Sequence, residues 1–369
     1  MKLYIYQQDE WPHFNWDSSV LLSLLGKARN MQGKLMGKMD SLGIELRREA
    51  NLETLTSDIL NSFEIEGEIL NPEQVRSSLA RRLGMNIPNL IRSDMYIDGI
   101  ADMIYDVTQQ FEMPLTNERL FDWYSFLLPT ANSYLNENIT HSWRNDSKGP
   151  MKISSGKKVN ERVSYQAPDA VTLNDEMNLF VEWFNNEDKL DPIIKAGIAY
   201  LWFVIIYPFD SNNGKIARSL TDMLLSKSEK SLQRFYSMSA QIALKQNEYY
   251  SILEKTRLGN LDITAWLQWF INCLINAFAA AEQTLARVLY KQEFWNNLTT
   301  IYLNPRQNFL LNKIQVGLDN KLTSAKWAEI ARCSADTALR DIKDLLHKQV
   351  LKKGTAGGRS TNYKLNDLI

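Results

Sequence analysis

The apolar run Ile193–Tyr207 stops at Pro208 and opens into Tyr207-Pro-Phe-Asp-Ser-Asn-Asn-Gly-Lys-Ile-Ala-Arg218. A helix that is apolar on nearly every side must be buried. It therefore holds Tyr207 and the turn that follows from a rigid position in the core. The residues after Pro208 are polar and turn-forming, and a new helix begins at Gly214–Lys215. A polar loop that empties into a helix N-terminus presents unpaired N–H groups and the positive end of a dipole, which suits an anion such as phosphate. Lys215 and Arg218 lie three apart on that helix and share a face. This is not a Walker loop, which needs Gly five residues before the Gly-Lys pair and Ser or Thr after it. Phe209 and Ile216 stand at those positions. The alternative is an ordinary helix–turn–helix corner with two surface cations.

The 369 residues suffice for two or three domains, and 44% hydrophobic residues can bury a sizeable core. A net charge of −1 supplies no global field toward nucleic acid or membrane. Cys273 and Cys333 sit in helical patterns and allow neither a disulfide framework nor zinc spacing. A reducing, cytoplasmic setting fits them. The N-terminus turns polar at once and is not read as a signal peptide. Ala196–Ile206 is too short to span a bilayer, so no membrane partner is expected. His13, His141 and His347 all lie far from Tyr207 in sequence.

Along the chain, residues 1–16 are aromatic and are expected to pack on a helix. One helix is expected from Asp17 to Arg48, capped by Asp17, and another over Leu52–Gly67, with Gly67 as its C-cap. Ser62 and Glu66 stand one above the other on the second helix. Taken alone, Glu66 reads as a solvated carboxylate. Asn71–Leu83 starts with Pro72 at its first helical position. Helices follow over Met95–Phe111, Asn117–Leu128, Ala170–Phe184, Ser239–Arg257 and Ile263–Lys291. Between them, Met151-Lys-Ile-Ser and Arg162-Val-Ser-Tyr-Gln read as a hairpin. Residues 301–369 hold 12 Lys+Arg against 6 Asp+Glu, a local net of +6. Ser324 and Ser334 begin two short helices there, followed by a strand pair around Gly357–Gly358. That order resembles a winged helix-turn-helix with Gly354–Ser360 as the wing tip. It reads equally as a DNA binder or as a protein-docking module, because Asp336, Asp341 and Asp344 dilute the charge of the second helix.

Tyr207–Arg218 resembles the active-site signature of Fic-domain proteins, His-Pro-Phe-x-(Asp/Glu)-Gly-Asn-Gly-Arg-x-x-Arg. Pro208, Phe209, Asn213, Gly214 and Arg218 match it. Tyr207 replaces the His, Ser211 the acid, Asn212 a Gly and Lys215 the first Arg. Ser62-Phe-Glu-Ile-Glu66-Gly67 matches the family's inhibitory motif (Ser/Thr)-x-x-x-Glu-(Gly/Asn) in full. The resemblance implies a mainly α fold: a Fic helical bundle with a small β-hairpin flap, an N-terminal helical domain and a C-terminal winged helix-turn-helix. It divides the chain into residues 1–90, 91–298 and 299–369. It also implies AMP transfer from ATP to a Ser, Thr or Tyr of an unidentified target protein, a homodimeric habit, and pairing of Glu66 with Arg218.

Carried over residue by residue, the resemblance makes Asn212, Asn213, Gly214, Lys215 and Arg218 nucleotide- or phosphate-binding. Ser62, Glu66 and Gly67 become inhibitory, and Tyr207 takes the place of the general base. A phenol ionises near pH 10, about three and a half units above an ordinary His, and losing a positioned base typically costs 10²–10⁴-fold. Ser211 offers a weak neutral ligand where a carboxylate would hold magnesium, so ATP binding is expected with magnesium weakened. Lys215 keeps the charge but not the bidentate fork. Three readings follow: a self-inhibited nucleotide binder with impaired catalysis, an active AMP-transferase, or a nucleotide-sensing regulator that binds DNA through 301–369.

Overall fold

The computed structural model describes residues 3–88, 90–129, 141–155, 162–315, 322–354 and 361–366. The protein is mainly α. Two compact units divide it, Met1–Gln283 and Thr284–Ile369. The expected first domain, and the second as far as Gln283, lie within the first unit, and the second unit starts at Thr284, inside the helix Thr264–Asn297.

The first unit runs α1 (Ser18–Asp40), α2 (Ile44–Glu64), α3 (Pro72–Arg82), α4 (Met95–Gln109), α5 (Asn117–Phe126), strands β1 (Lys152–Ser155) and β2 (Arg162–Gln166), then α6 (Leu173–Asn186), α7 (Pro192–Ile206), α8 (Asn213–Glu229), α9 (Met238–Leu244), α10 (Gln246–Arg257) and the start of α11 (Thr264–Asn297). Asp17 caps α1 by accepting from Ser19 and Val20. The single helix expected over 17–48 breaks at Ser41–Gly43. Gly43 is extended there and α2 restarts one residue later, so the helix carrying Ser62 begins earlier than Leu52; it ends at Glu64, which leaves Glu66 in the turn that follows. The helix expected over Ser239–Arg257 likewise breaks at Lys245, whose backbone leaves the helical region. Strands β1 and β2 pair antiparallel as the hairpin, and the expected tip between them lies outside the described residues.

Helix α7 is the axis of this unit. Every residue from Ile198 to Ile206 is buried, and α8 packs along it. Helix α11 crosses it closely: a Cβ on Gly197 would come within 2.9 Å of Leu267, and Trp266 Nε1 donates to the Gly197 carbonyl at 2.8 Å. Trp11 and Phe14 meet Trp202 of α7 edge-on, as expected for a segment packing on a helix. Tyr4 and Tyr6 instead meet Tyr165 of β2.

In the second unit, α12 (Pro305–Gln315), α13 (Ser324–Ile330) and α14 (Ala335–His347) precede an antiparallel pair, β3 (Leu351–Lys353) and β4 (Tyr363–Leu365). Leu310, Trp327, Ile342 and Leu345 form its core. The expected wing tip beyond Gly354 lies outside the described residues. Among the described residues no helix is long and apolar enough to cross a membrane.

A buried polar cluster joins α1, α2 and α8. Arg234 donates to Asp222 at 2.5 Å and stands 3.8 Å from Glu229, and its backbone N–H donates to Asn51 at 2.7 Å. Gln32 donates to Glu229 at 2.6 Å, and Asp58 accepts from the Ser239 N–H. Three carboxylates thus surround one guanidinium. Burial pushes Asp222 up to about 7 against the pull of Arg234, with Asp58 and Glu229 adding to the rise. Between an unfolded value near 4 and about 7, the folded chain keeps a proton that the unfolded chain releases. The contribution of this group to stability therefore falls as pH rises through that window and is flat above it. Asp222→Asn is expected to flatten the pH dependence of unfolding between about 4 and 7, measured by urea titrations at several pH values.

Candidate functional site

Tyr207 ends α7 in the left-handed region, at φ 53° and ψ 61°, which non-glycine residues visit infrequently. Arg144 holds this corner. Its Nε donates to the Tyr207 carbonyl at 2.8 Å and its backbone N–H donates to the Pro208 carbonyl at 2.9 Å. Phe209 is buried and stacks on Tyr124 with centroids 4.3 Å apart, an anchor whose truncation costs about 3–5 kcal/mol. The Asn213 amide closes the loop, accepting from the Phe209 N–H at 3.0 Å and donating to its carbonyl at 2.8 Å. Both ends of that side chain are thus engaged in shaping the turn. Asn212 takes a second left-handed conformation at φ 61°, which Asn tolerates better than other side chains do.

The two motifs meet. Arg218 NH2 lies 2.9 Å from Glu66 Oε1 and donates to the Ser62 carbonyl at 2.8 Å, while its Nε donates to Ser62 Oγ at 2.7 Å. Burial opposes the Arg218 charge, but Glu66 and then the nearby tyrosines raise its pKa, so it stays protonated. The Glu66 carboxylate also presses on the N-terminal turn of α8: a Cβ on Gly214 would fall 2.6 Å from Glu66 Oε1. It therefore occupies the place where an anion meets the positive end of that helix. Gly67, at φ 81°, ends the Ser62–Gly67 segment, and the Glu68 N–H returns to the Phe63 carbonyl at 3.1 Å.

Lys215 is 1% exposed and fully engaged. Its ammonium lies 2.5 Å from Glu68, 2.8 Å from Asn212 Oδ1, 3.5 Å from Glu66 and 4.1 Å from the Phe63 ring centroid. Glu68 also accepts from the Tyr96 hydroxyl at 2.9 Å. Two acids just past the end of α2, Glu66 and Glu68, thus neutralise two cations of α8.

The Tyr207 phenol faces the same cavity. Burial pushes its pKa above the ordinary value; Arg257 lowers it, Glu66 raises it, and Asn213 is within hydrogen-bonding reach. The phenolate is therefore rarer here than in water. Ser211 is exposed and accepts from Asn212 at 3.2 Å. Asp210 beside it acts electrostatically on Tyr124 and Arg144. Among the described residues no three His, Cys, Asp or Glu side chains converge on a metal position. A neutral hydroxyl with a neighbouring amide is a poor donor set for a hard divalent cation such as magnesium.

A cavity of about 690 Å³ opens beside these groups, lined by Glu66, Tyr207, Gly214, Arg218, Tyr250 and Arg257 among others. That volume accommodates a nucleotide-sized ligand. Gln246 Nε2 and the Tyr250 hydroxyl both donate to the Ile65 carbonyl, at 2.7 and 3.1 Å, so α10 grips the C-terminal end of α2. Glu68, Arg144, Gln246 and Arg257 escaped the sequence reading. Each is a polar residue without a motif of its own, and only Glu68, two residues after Glu66, was signalled by position.

A buried axial helix, a flap hairpin and an anion turn capped by a carboxylate from a separate helix define a Fic-type fold. Residues 114–225 match the Fic/DOC family, and residues 4–85, which include Ser62–Gly67, match a domain of unknown function, DUF4172. The chain is a Fic-domain protein. A protein of Aquifex aeolicus named "Probable protein adenylyltransferase" is 22% identical over 287 residues, 76% of this chain and 81% of that protein. The protein adenylyltransferase fic-1 of Caenorhabditis elegans is 32% identical over 89 residues, 24% of this chain and only 16% of that longer protein. A Fic family protein from Desulfovibrio desulfuricans shares the fold with a TM-score of 0.57 at 17% identity, over 97% of this chain and 99% of that one. The nematode Fic-1 structure gives 0.50 at 17% identity over 74% of each.

Gly214→Ala places a methyl group where Glu66 now sits. The substitution is expected to cost about 1–3 kcal/mol through overpacking and to speed amide hydrogen exchange across residues 62–68, read by mass spectrometry. Exchange unchanged from wild type would contradict the tight seating of Glu66.

Proposed function

We propose that this chain is a Fic-type nucleotide-binding protein, of the protein adenylyltransferase class, whose site Glu66 holds shut and whose AMP transfer is impaired. The single observation that carries this is the Glu66 carboxylate, seated between Gly214 and Arg218 on the N-terminus of α8. An ATP polyphosphate needs the same N–H groups and the same guanidinium. The relatives named adenylyltransferases support ATP as the ligand. In the impaired chemistry, a target hydroxyl would have to lose its proton beside a buried neutral phenol, with no imidazole at Tyr207 and no carboxylate at Ser211. Binding and orientation then remain as the main sources of rate.

Glu66→Gly is expected to bind ATP about tenfold or more tightly than wild type by calorimetry, the factor for a site open a tenth of the time or less. With labelled ATP and magnesium, neither protein is expected to label itself appreciably. Strong labelling of Glu66→Gly that disappears in Tyr207→Phe would overturn the impaired reading in favour of an active transferase.

A second reading, a DNA-binding second unit, gains from the acids on α14. Asp341 is 5% exposed and turned inward, 3.0 Å from Arg306, and it accepts from Asn304 at 2.9 Å. Asp344 accepts from Gln307 at 2.9 Å and lies 2.5 Å from Lys348. Two of the three acids that diluted the helix charge are thereby spoken for, while Arg340 and Lys343 stay exposed. In mobility shifts with the full chain, binding to duplex DNA should weaken with salt. Arg340→Glu should weaken it further and lessen the salt slope by about 1 or more. No shift at low salt would favour protein docking.

A further inference from the structure

Helix α14 turns one face inward and leaves the other open to solvent. Ala338, Asp341, Ile342 and Leu345 are buried, and the three apolar ones join Trp327 of α13 in the core of the second unit. On the opposite side Asp336, Leu339, Arg340 and Lys343 are exposed. At 3.6 residues per turn these four share a stripe about 100° wide. A short connection, residues 331–334, presents the helix. Arg332 is left-handed there at φ 48°, and Ser334 caps α14 by accepting from the Thr337 N–H at 3.2 Å. A helix held from behind by a preceding helix, with its N-terminal half open, is the kind that enters a major groove.

The stripe is more than a patch of positive charge. Arg340 and Lys343 attract phosphate, and Lys353 and Lys364 on the strand pair are exposed as well. Asp341 and Asp344 are engaged by Arg306 and Lys348. Asp336 stands apart from them. It lies one turn from Arg340, yet among the described residues the two form no ion pair. Against a phosphate backbone an exposed acid is repelled. Against a cytosine edge it accepts from the N4 amine. Leu339, 37% exposed, likewise adds nothing to backbone attraction but suits a thymine methyl. Each residue costs affinity, or adds none, on an arbitrary sequence and gains it on a particular one, which is how specificity arises.

We infer that α14 reads base sequence in duplex DNA, with Asp336 taking a cytosine amine and Leu339 a thymine methyl. The two residues are three apart, about 4.5 Å along the helix axis. That is close to the step of about 3.4 Å between base pairs, so they read neighbouring pairs. This rests on the DNA-binding reading of the second unit and adds a sequence preference to it. Arg340 and Lys343 supply the attraction, while Asp336 and Leu339 supply the choice.

Selection by the full-length protein from duplexes with a randomised core, followed by mobility shifts, tests this. Wild type should enrich a site with cytosine beside thymine and bind it about tenfold or more tightly than random duplex. Replacing that thymine by uracil, which removes only the methyl group, should weaken binding about fourfold, the worth of one buried methyl. Leu339→Ala should bind the thymine and uracil sites equally. Asp336→Asn should bind random duplex roughly threefold more tightly than wild type, because a like charge is gone. The same variant should narrow the ratio between enriched and random duplex by about fivefold or more. A merely structural Asp336 predicts the reverse, weaker binding of Asp336→Asn to every duplex, and that result would overturn its role. If either variant fails to fold, the thymine-to-uracil comparison with wild type decides the matter alone. Salt-dependent binding with no enriched sequence, or uracil bound as well as thymine, overturns this inference and leaves the DNA-binding reading standing. No binding to any duplex at low salt overturns both and points to protein docking on this face.

Discussion

One carboxylate organises the site. Glu66 reaches the N-terminal turn of α8 only because Gly214 has no side chain there, and it stays because Arg218, itself braced by Ser62, gives it a full counter-charge. A helix N-terminus and a buried guanidinium together form a strong anion site. An internal anion in that site competes with any external one. The neighbouring pair of Lys215 and Glu68 repeats the device, so the turn after α2 is tied to α8 at two points.

The clamp depends on a frame of fixed parts. Helix α7 is buried throughout its second half and delivers Tyr207 in a left-handed corner that Arg144 holds by its carbonyls. Asn213 locks the loop onto Phe209, and α10 grips the Ile65 carbonyl from the other side. Behind α8, a buried cluster centred on Arg234 joins the same helix to α1 and α2. Helix α2 is thus fastened both at its tip and along its length.

The replacements in the motif fit this frame without restoring its chemistry. Asn212 tolerates a left-handed position, and its side chain is used by Lys215. Lys215 has become an internal cation rather than a free phosphate ligand. Tyr207 places at the end of α7 a phenol whose pKa burial raises. The turn keeps its shape, with a phenol at Tyr207 and a hydroxyl at Ser211 where the family signature has His and an acid.

Ile193–Tyr207 announced a buried helix because an all-apolar periodic run has no other stable place. Pro208–Gly214 announced a turn through residues whose backbone preferences are intrinsic, and Gly67 announced a helix end for the same reason. Ser62, Glu66 and Arg218 were legible only as two motifs read together. Tertiary structure alone decided that Asp341 turns inward and that Glu68 serves Lys215. It also decided that the helices expected over 17–48 and 239–257 each break in two. Local sequence fixes backbone propensity and apolar periodicity. The direction a charged side chain takes, and the partner it finds, depend on which distant helix packs against it.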